Sequence, residues 1–373
     1  MDNNKEILYS TPDEQVQKLK IKKLIFEDED FAKNQLAEYG YYNIINSYKA
    51  PYMTTIDGNK EYFSGTSFEQ IYSLFTLDHN LRNSIMSAML DFEEHLRAAT
   101  AEVIARNWGT DHNEYLKWEH YRDRRVVNER FSLRGILGTL RQNIMSGKDP
   151  IKYYRENYGI VPPWILFKGT YFSTLINLIR LFKNDQKKEL IHIMYDLDEE
   201  TSSSPIVTRL FSETLFMCLD FRNRAAHGGR IYNFEPRDTA FLLNNSDLQN
   251  YFQDLSTWQD SRGVAQLLAL LSCFTYLNPY VTIDSSLSEE INRHLSVYPQ
   301  DKVIIENFIG MELTVKKVIW ISPKTRKFHT NPNCSGMKDC MKITYDETAF
   351  DLSKFEPCKK CCKDFLISIP DNL

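Results

Sequence analysis

The sequence predicts a mainly α-helical protein that ends in a small β/α module of different composition. Three observations predict this. Gly 14 and Pro 13 are few for 373 residues, which disfavours a turn-rich β protein. Apolar residues recur at helical spacing, as in Leu81, Ile85, Ala88, Met89, Phe92, Leu96 and Ala99. From residue 312 the pattern turns β-like (Leu313 to Ile321), and five of the seven cysteines crowd into residues 334–362. The length favours one large domain with smaller accessories. We divide the chain into an N-terminal helical extension (1–64), a helical domain (65–311) and a C-terminal module (312–373).

Residues 12–48 read as short helices carrying a tyrosine cluster, Tyr39, Tyr41, Tyr42 and Tyr48. Residues 50–64, with Pro51 and the turn pair Asp57-Gly58, read as a loop. Thr66-x-x-Glu69 and Ser67-x-x-Gln70 both fit a capping box and start a long helix that Gly109 stops after Trp108. A further helix is expected around 125–147, with Gly135 and Gly138 inside it, and another over 168–184 after Pro162-Pro163-Trp164. Pro205 suits the first position of the next helix, whose buried stripe is Ile206, Leu210, Thr214, Met217 and Phe221. Gly228-Gly229 supplies a left-handed stop. Two or three more helices follow Pro236 to about residue 300.

The start, Met1 to Glu6, is polar and does not read as a signal peptide. The most apolar window, Val264 to Leu277, is too short to span a bilayer. These features predict a cytoplasmic protein with no membrane partner. The net charge of −5 hides segregation: residues 316–363 hold eleven Lys/Arg against five Asp/Glu. A second basic stretch contains Arg122, Arg124, Arg125, Arg130, Arg134 and Arg141. Such a run is the footprint of RNA binding or an ordinary solvated face, and the sequence does not separate the two.

Clustered cysteines without an export signal point to metal ligation rather than disulfides. His329-x4-Cys334 followed by Cys358-x2-Cys361 gives one imidazole and three thiolates, a tetrahedral Zn2+ set with no open position. The C-terminal module is therefore expected to be a zinc-bound β/α unit whose ion is structural and supplies much of its folding energy. Cys340 and Cys362 are alternative ligands.

The run Phe221-Arg222-Asn223-Arg224-Ala225-Ala226-His227 closes the helix that Pro205 opens. Arg222 and His227 lie roughly 140° apart around a helix axis, so they converge on one ligand only if the helix frays after Ala226. An arginine to hold a phosphate and a histidine to move a proton suffice to cut RNA without a catalytic metal. Spacing alone is not specific, and the motif could equally be a solvated helix end. Glu93 and Arg97, at i, i+4 on the long helix, are either a supporting pair or a surface ion pair.

The chain resembles the Abi-like family of bacterial phage abortive-infection proteins, which are all-helical and HEPN-type. The likeness runs over most of residues 10–240. It is carried by Gln15 to Tyr48, by Phe68-Glu69-Gln70-Ile71-Tyr72 with Asp78-x-x-Leu81-Arg82, by Phe92-Glu93-x-x-Leu96-Arg97, and by Trp164. Its most specific element is Arg222-Asn223-x-x-Ala226-His227-x-x-Arg230-x-x-Asn233. Gly228-Gly229 departs from the pattern, since many relatives carry a bulkier polar residue first. The resemblance implies a HEPN-like helical bundle acting as a homodimeric, metal-independent endoribonuclease. In that reading the ribose 2′-hydroxyl attacks the adjacent phosphate and leaves a 2′,3′-cyclic phosphate. His227 serves as acid or base, an imidazole titrating near ~6.5. Arg222 neutralises the phosphorane charge, Asn223 orients, and Arg230 and Asn233 make secondary contacts. An antitoxin or regulatory RNA is compatible with a toxin. The alternatives are a non-catalytic RNA-binding HEPN protein and a DNA-binding regulator acting through the zinc tail.

Overall fold

The computed structural model describes residues 9–56, 58–123, 128–274, 279–313, 317–322, 324–330, 334–337, 340–345 and 355–362. Helix accounts for 65% and strand for 7%, so the mainly α expectation holds.

In chain order the first elements are α1 (Pro12–Ile21), α2 (Glu29–Tyr39), the hairpin β1 (Met53–Ile56) and β2 (Asn59–Tyr62), and α3 (Phe68–Trp108). Then come α4 (His112–Tyr115), α5 (Leu133–Ile144), α6 (Ile151–Tyr158), α7 (Pro163–Leu166), α8 (Phe172–Arg180), α9 (Asn184–Tyr195) and α10 (Glu199–Ser202). The last helices are α11 (Pro205–Ala226), α12 (Ala240–Leu243), α13 (Ser246–Tyr251), α14 (Gly263–Ser272), α15 (Pro279–Leu295) and α16 (Lys302–Ile309). Strands β3 (Lys317–Ser322), β4 (Lys327–His329), β5 (Met341–Tyr345) and β6 (Glu356–Pro357) follow.

Local chemistry sets these boundaries. Thr11 and Glu14 close a complete capping box at α1, and Asp28 caps α2 by accepting from the Asp30 and Phe31 amides. The expected loop at 50–64 is instead a hairpin, with Met53 opposite Tyr62 and Ile56 opposite Asn59. The turn pair was legible, but pairing decides between loop and hairpin; Gly58 at φ +79° fits the tight reversal. At α3 the capping box is half made. Ser67 Oγ accepts from the Gln70 amide at 3.1 Å, while Glu69 accepts from the Glu27 and Asp28 amides, both at 3.2 Å. Gly109, at φ +77°, stops the helix as expected.

The chain divides into two compact units. The first comprises Met1–Leu77, Leu287–Glu306 and Glu312–Leu373. Buried Asp301 organises its helical part, accepting from Tyr52 OH at 2.6 Å and Gln70 Nε2 at 2.7 Å. His294 lies 2.9 Å from Asp301 through Nε2 and 2.9 Å from Ser73 Oγ through Nδ1. A buried carboxylate with this many partners avoids the cost of an unpaired charge. In the C-terminal part the sheet order is β5-β3-β4-β6, antiparallel except for the parallel β4–β6 pair. Its small core is Ile319, Ile321, Phe328, Cys358 and Cys362.

The second unit comprises Asp78–Ser286 and Asn307–Met311. Here α11 packs against α8, α9 and α14. Its buried face includes Leu210, Thr214, Met217 and Phe221, as the spacing predicts, with Val207 rather than Ile206 at the start. Helix α14 is buried from Gly263 to Leu271. Phe274 stacks on Tyr195 at 4.6 Å and meets Phe92 edge-on at 5.2 Å. Each such aliphatic or aromatic side chain removed from water contributes about 2 kcal/mol, which fixes α11 along its length.

Candidate functional site

Helix α11 ends where its sequence says it should. His227 is the C-cap at φ −95°, ψ 13°, and its amide reaches Asn223 O at 3.1 Å. Gly228 adopts φ +68°, and the amides of Gly228 and Gly229 close on Ala225 O and Arg224 O at 3.1 and 2.9 Å. Arg224 then folds over the turn, its Nε donating to Arg230 O at 3.0 Å and its guanidinium lying 5.2 Å from the Phe234 ring centre.

Helix α3 clamps the segment beyond. Asp78, fully buried, accepts from the amides of Ile231 and Tyr232 at 2.8 and 2.6 Å. One turn later Arg82 donates to Gly228 O at 2.9 Å and lies 3.1 Å from His79 Nδ1. The i, i+4 spacing puts both on one face of α3. His227 is left exposed at the end of a helix whose following loop is pinned from both sides.

The neighbouring arginine faces inward. Glu93 is only 3% exposed, so the surface-pair alternative for Glu93 and Arg97 is overturned. The local spacing placed the pair on α3, but the packing around that turn lay beyond it. Arg97 pairs with Glu93 and also donates to Thr170 O at 2.9 Å. Arg222 Nε stands 4.0 Å from Glu93 Oε2, and neither atom has a hydrogen bond. Two guanidiniums thus share one buried carboxylate, leaving a net positive charge beneath the helix end. Both keep partial solvent access, 26% for Arg97 and 30% for Arg222. A cationic set held by a buried anion is arranged to receive a second anion from solvent.

A separate site lies in the C-terminal module. The ligand atoms of His329, Cys334, Cys358 and Cys361 lie within 4.8 Å of one another, so this set could hold a metal ion. Cys334 Sγ is 3.8 Å from Cys358 Sγ, and Cys361 Sγ is 3.6 Å from His329 Nδ1. A Zn2+ tetrahedron with Zn–S near 2.3 Å and Zn–N near 2.0–2.1 Å has edges of about 3.8 and 3.5 Å. The observed spacings fit those edges. Strand β4 delivers His329, and β6 leads into the Cys358–Cys361 turn. A Cβ on Gly336 would sit 3.3 Å from His329 Cε1 and 3.6 Å from Cys358 Sγ, so this glycine lets the backbone wrap the ligands closely. Buried Cys362 lies 3.8 Å from Cys361 Sγ and points its own sulfur at Phe328 O, 3.5 Å away.

A family model described as Abi-like protein matches residues 34–233, more than half of the chain. The chain belongs to the Abi-like family. No curated protein and no solved structure matches it. In this Abi-like chain the match begins within α2, so Gln15 to Lys33 lie outside it, and it ends at Asn233. It takes in Asp78, Arg82, Glu93, Arg97, Arg222 and His227; the metal-ligand cluster falls outside.

The remaining sequence candidates are distributed around these centres. Asn223, Arg230 and Asn233 are half-buried; Asn223 and Arg230 lend backbone oxygens to the turn. Arg122 is exposed and donates to Asn184 Oδ1 at 3.3 Å, and exposed Arg130 lies 5.8 Å from the Phe131 ring centre. Arg124 and Arg125 lie outside the described residues. Sequence reasoning gave Asp78 and Arg82 no role. Their signal was the family likeness at Asp78-x-x-Leu81-Arg82, which does not reveal that both reach a loop some 150 positions away. No described helix is long and apolar enough to cross a membrane.

Proposed function

We propose that this protein is a HEPN-type, metal-independent endoribonuclease of phage abortive infection, with Arg222 and His227 at its centre. Membership of the Abi-like family points to abortive infection. The observation that carries the nuclease reading is an exposed histidine closing the helix whose Arg222, itself partly open to solvent, shares the buried Glu93 carboxylate with Arg97. His227 takes the proton of the ribose 2′-hydroxyl as that oxygen attacks phosphorus. Arg222, aligned by Glu93, neutralises the charge gathering on the phosphoryl oxygens. A proton delivered to the departing 5′ oxygen completes the step, leaving a 2′,3′-cyclic phosphate and a 5′-hydroxyl. One histidine cannot serve both ends of the same bond at once, so two chains related by a dyad supply the pair. Asn223 orients the substrate, while Arg230 and Asn233 line its approach.

In the same reading Zn2+ is held by His329, Cys334, Cys358 and Cys361. It cross-links β4, the Cys334 loop and the β6 turn, and it takes no part in the reaction. The test is cleavage of RNA in EDTA, comparing wild type with His227→Ala and Arg222→Ala. Wild-type cleavage giving cyclic-phosphate ends, with a loss of at least a hundredfold in either variant, supports the assignment. RNA binding without cleavage by the wild type under all conditions would replace it with a non-catalytic RNA-binding role.

A further inference from the structure

The segment between α7 and α8 is fixed to the long helix α3 along the stretch from Phe92 to Arg97. Lys168 Nζ lies 3.3 Å from Glu94 Oε1, Thr170 O accepts from Arg97 Nη2 at 2.9 Å, and Phe172 meets Phe92 edge-on at 6.4 Å. Helix α5 adds a further tie, Asn143 Nδ2 donating to Gly169 O at 3.2 Å. Buried Thr170 donates back to Leu166 O at 2.9 Å, and Tyr171 O takes the Thr174 and Leu175 amides that open α8 at 2.9 and 3.0 Å. A backbone with its polar groups bonded in this way holds what it presents in one place. What it presents is the ring of Tyr171, 76% exposed between buried Thr170 and buried Phe172. No aromatic ring among the described residues of the second unit is more exposed.

A single exposed ring is ordinary on a protein surface; the neighbours of this one give it meaning. The Arg97 guanidinium that holds Thr170 O also holds Glu93, and Glu93 Oε2 stands 4.0 Å from Arg222 Nε. Laid end to end, these contacts keep Thr170 O within about 12 Å of Arg222 Nε. Tyr171 is thus anchored, through Arg97, on the side chains that carry positive charge to solvent beneath the end of α11. Cationic groups with a solvent-facing ring at their edge are how proteins hold single-stranded nucleic acid: charge for the phosphate, a flat π face for a base. We infer that Tyr171 stacks on a base of the RNA strand next to the phosphate held by Arg222. The inference rests on the nuclease reading for which phosphate that is, and not for the stacking itself. Every base has such a face, so the contact accepts all four and supplies position more than sequence selectivity.

The test uses the full chain in a His227→Ala background, so that binding is read without cleavage. A fluorescein-labelled single-stranded RNA is titrated by anisotropy at several salt concentrations. Tyr171→Ala and Tyr171→Leu should each weaken binding about fivefold or more, the effect of losing one stacked base. Tyr171→Phe should stay within about twofold of the parent, because the face of the ring and not its hydroxyl makes the contact. The salt slope should be the same in all of them, since no phosphate contact is lost. Melting temperatures equal to the parent's establish that the variants fold, as a ring this exposed predicts. Tyr171→Ala binding as tightly as the parent overturns the inference. So does a loss shared by Tyr171→Phe, which assigns the contact to the hydroxyl, or an equal loss on an abasic ribose-phosphate strand of the same length. With His227 restored, Tyr171→Ala should raise KM for RNA by a similar factor and leave kcat within about twofold; a fall in kcat at constant KM overturns it. Tyr171-dependent RNA binding by a protein that cleaves nothing upholds the stacking while removing the nuclease reading. Cleavage indifferent to Tyr171→Ala removes the stacking and leaves the nuclease reading in place.

Discussion

Asp78 shows how one side chain can govern a site it does not enter. Its buried carboxylate takes two backbone amides of the loop that follows His227. Asp78→Ala strands both donors, and hydrogen bonds to a charged acceptor contribute about 1.5–3 kcal/mol each. We expect a loss of about 2–4 kcal/mol in urea unfolding for Asp78→Ala. Asp78→Asn keeps an acceptor oxygen and should lose less, yet still loosen the loop and slow cleavage. Equal stabilities of Asp78→Ala and wild type would show that the clamp carries no energy. Glu93 poses the complementary case, a buried anion under two cations. Glu93→Gln removes the attraction and leaves Arg97 and Arg222 repelling each other. Both arginines keep partial access to water, which screens them, so the cost should be about 2 kcal/mol rather than the full penalty of a broken interior pair. The more telling readout is kcat: Arg222 loses its alignment, and the rate should fall further than the stability does.

At the scale of elements, the end of α11 is the part on which chemistry and folding meet. The two glycines after His227 do different work. Gly228 sits at φ +68° with open space where a Cβ would be. Gly228→Ala should therefore cost about 1 kcal/mol, and Gly228→Asn less, because asparagine tolerates the left-handed region. A Cβ on Gly229 would lie 2.4 Å from Arg224 Cδ and Nε, the side chain that bridges to Arg230. Gly229→Ala should thus displace Arg224 and disturb the turn more than Gly228→Ala does, readable as a larger drop in melting temperature. The sequence made this helix legible from Pro205 to its glycine stop, because stripe, first-turn proline and C-terminal turn are local signals. It made the half-formed cap of α3 only partly legible, because Glu69 and Gln70 bond to residues 27–28 and 301 instead of to their own helix. The β1–β2 hairpin was missed for a related reason: four-residue strands carry too little periodicity to be told from a loop. The cluster of His329, Cys334, Cys358 and Cys361 was legible, since its spacing is itself the signal. The clamp was not, since it depends on contacts between distant segments.

At the scale of the whole molecule, the C-terminal module and the helical body should respond to different agents. Among the described residues the module's buried core is five residues, Cys358 of the His/Cys cluster among them, too small to hold without a cross-link. Chelation should therefore open the module while the 222 nm helical signal stays close to its starting value. Thiol labelling gives the finer test. Burial raises the thiol pKa of both Cys218 and Cys273, suppressing the reactive thiolate. Cys334, Cys358 and Cys361 should become reactive on adding chelator, whereas Cys218 and Cys273 should wait for denaturant; simultaneous labelling of all would refute the separation. Assembly makes the remaining demand. If each scissile bond draws a histidine from both chains, then a wild-type chain paired with a His227→Ala chain is left with one histidine and cannot serve both ends of the bond. Unfolding and refolding wild type with an excess of His227→Ala should therefore lower the activity per wild-type chain. The loss should scale with the fraction of mixed dimer measured by light scattering of size-tagged chains. Activity in a strictly monomeric fraction would place both functions within one chain, and would require Arg222 and His227 to reach the same phosphate despite facing different sides of α11.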